Sequence, residues 1–296
     1  MKIDCPYEIV DVFSGEPFAG NPLAVVRTDS PLSLDLMQKI AREMNLSETT
    51  FYAPRKNGDG AWRARIFTPS KELAFAGHPI LGAAWVIRQN EENGADAIRL
   101  ALDVGLIDVS FETGAEQGEV AWFRAPPMAF GAIRDREQVA MALGLTPQDM
   151  DQDFPPREVT GGVTLILAPV RTVEAVRRAR LDLTRFGPLA AAGAPPMVYV
   201  FCRTAHEAAS QSLRARFFFE SFGVREDPAS GNAAAFLGAF LLNYNYFGPA
   251  PVMARIEQGH DMGRPSLVLL RAARNDSGFD VRVGGQVVLT ARGRLV

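Results

Sequence analysis

Two cysteines and three histidines are all the thiol and imidazole metal ligands that this 296-residue chain carries. Cys5 and Cys202 lie far apart and outside metal-type spacing, which argues against a disulfide framework and against a zinc site. Lys and Arg form no long run and the net charge is -3, so no nucleic-acid partner is expected. The longest apolar stretch, Ala233 to Leu242, falls short of the roughly 20 residues that span a bilayer, and no membrane association is expected. Met1 to Pro6 shows no basic segment leading into an apolar one, so a secretory signal is not expected; with two isolated thiols, the expected compartment is the cytoplasm. There is no Walker A loop, no dinucleotide fingerprint after a strand, no G-x-S-x-G elbow and no H-E-x-x-H helix. Nucleotide transfer, nicotinamide redox chemistry and zinc proteolysis thereby lose their usual support. No cofactor and no metal are expected, and the ligand should be a small molecule.

What the chain does have is a duplication. Residues 63–83, RARIFTPSKELAFAGHPILGA, return in altered form at 214–239, RARFFFESFGVREDPASGNAAAFLGA. Each copy passes from a basic, aromatic strand pattern through a loop to Gly plus a polar residue, Gly77-His78 and Gly231-Asn232, and then into an apolar run containing Leu-Gly-Ala. With 47% hydrophobic and 22% charged residues the chain can bury full cores, and the repeat favours two domains, 1–127 and 128–296. Ala125-Pro126-Pro127-Met128 is the natural linker, because two prolines interrupt strand pairing.

Short strands are predicted at Tyr7 to Phe13 and Leu23 to Val26. A helix is predicted from an N-cap at Ser33 to a stop at Asn45, with Leu34, Met37, Ile40, Ala41 and Met44 on one face. The following strand, Leu46 to Tyr52, puts Glu48 on one face with Leu46, Thr50 and Tyr52. Most glutamates are solvated surface charges; partial burial among these neighbours would raise the pKa of this one toward the range useful for proton transfer. More strands are predicted at 63–68, 98–102, 106–111 and 118–124. In the second half, helices are predicted at 136–143, 173–179 and 205–213, and strands at 163–167, 197–202, 266–270, 279–283 and 287–289. Gly284-Gly285 reads as a hairpin turn, and the closing strands could cross back to the first half.

Helix N-termini expose unpaired N–H groups at the positive end of the macrodipole, so two such ends facing one cleft would receive a carboxylate. Taken singly, Gly-His and Gly-Asn read as ordinary caps; their recurrence in equivalent places favours a site. His78 precedes Pro79, a residue suited to a first helical turn. Asp227, just before the second helix start, reads by composition first as a capping residue. His206 reads as a surface residue with no role, and His260, in a turn-rich loop, could line a site but more simply belongs to the loop.

Asp11-Val12-Phe13 with Phe18-Ala19-Gly20-Asn21-Pro22, then NLSETTF at 45–51, ELAFAGHP at 72–79 and EDPASGNA at 226–233 together resemble, in order, the PhzF-like phenazine-biosynthesis family over nearly the whole chain. The resemblance implies an α+β fold like that of diaminopimelate epimerase: two similar domains, each a curled sheet around a central helix, with the site in the cleft between them. It implies an isomerase in which Glu48 is the acid/base that moves a proton within the substrate, assisted by His78 and Asp227. Asn21, Ser47, Gly77, Gly231 and Asn232 are the substrate-binding candidates in those motifs, and a homodimer is implied. At Asn232 the best-known members carry Ser, so substrate contacts there should differ. The thiol epimerases of this fold use two opposed cysteines, and those positions align with Ala76 and Ser230, which excludes a two-thiol racemase. The expected activity is therefore cofactor-independent isomerisation of a small carboxylated, unsaturated or amino-bearing metabolite. Two alternatives stand beside it: an epimerase with Asp227 or His78 as second base, and a catalytically idle metabolite-binding protein.

Overall fold

A computed structural model describes residues 4–56, 58, 60–114, 118–204, 211–220, 224–249, 251–276 and 278–296. Its contacts divide the chain into two compact units, 1–124 with 284–296, and 125–283.

The first unit contains β1 (Cys5–Val12), β2 (Asn21–Arg27), α1 (Leu34–Met44), β3 (Glu48–Lys56), β4 (Trp62–Phe67), β5 (Glu72–Leu73), α2 (Gly77–Asn90), β6 (Ala97–Leu102), β7 (Gly105–Gly114) and β8 (Gly118–Arg124). The second contains β9 (Ala129–Ile133), α3 (Arg136–Ala142), β10 (Arg157–Thr160), β11 (Thr164–Pro169), α4 (Val173–Arg178), α5 (Gly187–Ala191), β12 (Met197–Arg203), β13 (Ser212–Phe219), β14 (Val224–Asp227), α6 (Gly231–Asn243), β15 (Val252–Gln258) and β16 (Ser266–Asn275). β17 (Gly278–Gly285) leads to β18 (Val287–Leu295), which returns to the first unit and pairs antiparallel with β1.

The two units share a pairing pattern. In the first, β2 and β3 are parallel, β3 and β4 antiparallel, β4 and β6 parallel, and β6 and β7 antiparallel. In the second, β11 and β12, β12 and β13, β13 and β15, and β15 and β16 repeat that order of directions. The duplication also extends to an ion pair. Arg65 grips Glu72 with two hydrogen bonds of 2.7 Å, and Arg216 grips Glu226 at 2.7 and 2.8 Å, each Glu five residues before the Gly that starts the central helix. Both guanidiniums lie over an aromatic ring two residues on, Phe67 at 5.3 Å and Phe218 at 5.0 Å.

Each central helix is apolar on nearly every side, which is the pattern of a helix buried all round. α2 touches β1, β2, β3, β6, β7, β8 and β18, so the first sheet curls around it; α6 packs on β11, β15 and β16. Ile80, Leu81 and Ile87 have no exposed surface, each worth about 1.5–3 kcal/mol of burial. The outer faces are covered by the shorter helices. Met37, Ile40 and Ala41 of α1 pack with Val26, Phe51 and Phe67, while α3, α4 and α5 cover Ile166, Val198, Val200 and Phe218. Ser33 Oγ accepts the Leu36 N–H, and Asn45 closes α1 in the left-handed conformation, as their residue types predict.

Two expectations are corrected. Gly284 and Gly285 are strand residues of β17 rather than a turn: a Cβ on Gly284 would lie 2.4 Å from the Trp122 ring, and one on Gly285 would lie 2.3 Å from Phe13. They are small because aromatic rings press on the backbone there. Of the helix expected at 205–213, Ser212 and Leu213 belong instead to β13, paired with β12 and β15; residues 205–210, including His206, lie outside the described residues.

Candidate active site

α2 begins without a side-chain cap, because Ala76 holds the N-cap in an extended conformation and has nothing to offer the first-turn N–H groups. Gly77 and His78 are buried, and Pro79 suits the first turn because it has no N–H to satisfy. Glu48 opens β3 and sits opposite Leu23 of the parallel neighbour β2. Asn21 opens β2 two residues earlier. The two strand starts thus bring Asn21 and Glu48 to the helix start from His78's two sides.

The contacts are specific. Asn21 Nδ2 lies 3.2 Å from His78 Nδ1, and His78 Nε2 lies 3.5 Å from Glu48 Oε2. All three residues are buried, at 0%, 3% and 6% exposure, which puts the acid–imidazole contact out of bulk water. Burial pulls the His78 pKa down to about 3, so the ring is neutral near pH 7 and the contact with Glu48 is not an ion pair of two full charges. An amide nitrogen can only donate, so Nδ1 is the acceptor and the single ring proton sits on Nε2, facing the Glu48 carboxyl. At 3.5 Å that contact is longer than a normal N–H···O hydrogen bond.

The loop delivering Asn21 is itself constrained. Buried Asp11 accepts the Phe18 N–H at 2.6 Å. Gly20 has φ +67°, and a Cβ there would lie 2.4 Å from the Val12 carbonyl oxygen, so no other residue fits without moving the loop. Ser47 is half-buried and precedes Glu48 in the turn from α1.

In the second unit Asp227 ends β14, opposite Phe217 of β13, with 8% exposure. Its backbone carbonyl accepts the Gln258 Nε2–H at 2.7 Å, and Gln258 Oε1 accepts the Tyr199 hydroxyl at 3.0 Å. Gln258 and Tyr199 have no exposed surface; burial, then the Asp227 charge, raises the Tyr199 pKa and keeps the phenol a donor. Ser230 caps α6 by accepting the Ala233 N–H at 3.2 Å, and Gly231 starts the helix. Asn232 is half-buried, and its side-chain oxygen is shielded from solvent without a hydrogen-bond partner among the described residues.

The candidates therefore gather in two groups, Asn21, Ser47, Glu48, Gly77 and His78 on the first unit, and Asp227, Gly231 and Asn232 on the second. Sequence reasoning missed Gln258 and Tyr199, which have no local motif. Asn21, a substrate-binding candidate in the sequence, also lies against His78. His260 lies in an exposed single turn of 3-10 helix at His260–Met262. Among the described residues no three His, Cys, Asp or Glu side chains gather as metal ligands, and no helix is long and apolar enough to cross a membrane.

Two similar units, each a curled sheet around a buried central helix, make this an α+β protein of the diaminopimelate epimerase-like fold. Solved structures share it: a PhzF-family phenazine biosynthesis protein from Bacillus anthracis superposes with a TM-score of 0.89 at 20% identity, each chain covered completely. A protein described as a predicted epimerase from Pseudomonas aeruginosa reaches 0.78 at 33% identity, with 98% of this chain and 99% of that one covered. The family model for phenazine biosynthesis-like proteins matches residues 10–293, and the chain belongs to that family, the PhzF family of isomerases. Among curated relatives, an uncharacterized isomerase of Mesorhizobium japonicum is 36% identical with 98% of each chain covered. The trans-2,3-dihydro-3-hydroxyanthranilate isomerase of Pseudomonas chlororaphis is 35% identical, covering 98% of this chain and 99% of its own.

Proposed function

We propose that this isomerase moves a proton between two carbons of a small carboxylated metabolite that is unsaturated or amino-bearing, without a cofactor, with Glu48 as the acid/base. The observation that carries the reading is the buried Glu48 carboxyl facing a neutral His78 whose tautomer Asn21 sets. The Glu48 carboxylate takes the proton from one carbon, the C–H electron pair shifts the double bond, and the same carboxyl returns the proton to the far carbon on the same face. His78, with its Nε2 proton, orients the carboxyl and a polar group of the substrate. On the first unit the uncapped first turn of α2 at Gly77 takes the substrate carboxylate, and Ser47 and Asn21 complete the binding set; the family motif at 226–233 supports Asp227, Gly231 and Asn232 as further substrate-binding residues. The name of the Pseudomonas relatives, with its dihydro ring, amino group and carboxylate, supports this substrate class. Asn232, in place of the Ser of the best-known members, supports a substrate that differs at that contact.

A racemase working through two thiols finds no support, since Ala76 and Ser230 hold the two helix caps. The family resemblance also supports a cytoplasmic homodimer, which light scattering at twice the chain mass tests.

Glu48→Gln should abolish incorporation of solvent deuterium into turned-over substrate. Undiminished exchange in that variant would overturn the assignment.

A further inference from the structure

The interior of the first sheet is polar at both ends of α2, and the proposed chemistry uses one of them. A Cβ built on Gly82 meets Val10, Val12 and Leu23, so these residues point at the helix. Period-two alternation from Val10 and Leu23 then directs Glu8 on β1 and Val25 and Arg27 on β2 to the same face. The register sets Glu8 beside Val25 and Arg292, and Arg27 beside Tyr52. Along its pairing with β2, the same face of β3 runs from Glu48 to Tyr52. α2 has 14 residues, roughly 20 Å of helix, so its C-terminal end lies well away from His78.

At that far end is a cavity of about 360 Å³, lined by Glu8, Arg27, Tyr52, Glu91 and Arg292 over a floor that includes Val25 and Val86. A volume in this range holds a small ligand. The charges around it are arranged but incompletely matched. Glu8 is 9% exposed; its Oε1 accepts from Arg292 Nε at 2.7 Å, while its Oε2 is buried with no hydrogen-bond partner among the described residues. Glu91 caps the negative end of α2, where a carboxylate is disfavoured, and takes the Tyr52 hydroxyl at 3.3 Å. Arg27 Nε lies 3.2 Å from Glu91 and 3.4 Å from Asp29, yet that nitrogen is buried without a properly directed hydrogen bond among the described residues. An unfilled acceptor beside a helix C-terminus calls for a cation, and an unfilled guanidinium donor calls for an anion.

We propose that this cavity is a second ligand site, which binds a small amino acid: the ammonium on Glu8 at the C-terminal end of α2, the carboxylate on Arg27, and an aliphatic side chain over Val25 and Val86. The site is separate from the proton-transfer machinery and belongs wholly to the first unit.

Calorimetric titration of the full chain tests it with three probes: L-leucine, its decarboxylated form 3-methylbutylammonium, and its deaminated form 4-methylpentanoate. L-Leucine should bind, and each half-probe should bind at least ~10-fold more weakly, because one charged hydrogen bond is missing. Glu8→Gln and Arg27→Met should each raise the L-leucine Kd about 10-fold or more while melting as cooperatively as the parent. If Glu8→Gln does not fold, Arg27→Met decides alone. The proposal is overturned if L-leucine gives no saturable heat, if either half-probe binds as tightly as L-leucine, or if the Kd is unchanged in the folded variants.

Discussion

Replacing Asn21 by Leu keeps the side-chain size nearly constant and removes the amide that donates to His78 Nδ1 at 3.2 Å. Both residues are buried, so water cannot take the amide's place. A buried acceptor left unsatisfied costs about 1–3 kcal/mol. At roughly 2–4 °C per kcal/mol for a large domain, the melting temperature should fall by about 2–12 °C. Moving the ring proton to Nδ1 recovers nothing, because it would leave an unsatisfied N–H against the leucine and turn a lone pair toward Glu48 Oε2 at the 3.5 Å contact; the ring keeps its Nε2 proton but is no longer held from its Nδ1 side. The imidazole facing the Glu48 carboxyl is then less firmly placed, and misplacement on this scale lowers kcat by about 10- to 100-fold. The assay is direct: nitrogen–proton correlation spectra of the ring report which nitrogen carries the proton. At pH 7 the parent should show the proton on Nε2 and a bare, hydrogen-bonded Nδ1, and Asn21→Leu should keep the Nε2 proton while the Nδ1 resonance moves as its hydrogen bond is lost. A protonated ring or an Nδ1–H in the parent, or an unchanged spectrum in the variant, would refute the reasoning.

Three further outcomes can be checked. With the folded pKa of His78 near 3 and the ordinary value at 6.5, the unfolded chain binds the extra proton between those limits; stability should rise with pH across that window, be complete above it, and fall as acid is added. Urea melts of His78→Phe should show a shallower decline from pH 6.5 toward 3, and an equal slope in both proteins would count against the neutral buried ring. Arg216→Met strips the partner from half-buried Glu226 and the shared Nη1 donor from the carbonyls of Val176, Arg177 and Ala179; urea unfolding should register a loss of about 3–5 kcal/mol, and a change below about 1 kcal/mol would show the cluster to be dispensable. Gln258→Leu removes one donor from the Asp227 carbonyl and should lower kcat about 10-fold by loosening that loop, whereas an unaltered kcat would remove Gln258 from any positioning role.

The parts of the fold legible in the sequence were those set by neighbours along the chain. Ser33 and Asn45 mark the ends of α1 because capping is local chemistry, and the repeated RAR strands announce the duplication. A further signal was present and unused: a Glu stands five residues before each central-helix Gly, which marks the Arg65–Glu72 and Arg216–Glu226 pairs. Gly284-Gly285 was misread because a Gly pair resembles a turn when the rings that press on it, Trp122 and Phe13, are more than 150 residues away. Asn21 and His78 are 57 residues apart, and Tyr199 and Gln258 are 59, so no spacing rule could join them. Their meeting depends on sheet register, which a single sequence does not display.

The pairing of β18 with β1 bears on how the chain folds as it is made. Residues 125–283 are continuous and can fold once they leave the ribosome, but the first unit needs 287–295 to flank β1 along its full length. Until then β1 presents an open edge, and the contact that closes it spans nearly the whole chain, which is the kind that forms slowly. The half that emerges first is thus completed last, with the second unit assembled during the wait. A chain stalled before Val287 would carry Glu48 and His78 in a sheet still lacking its final strand, and would be open to capture by chaperones or by a neighbouring chain's edge.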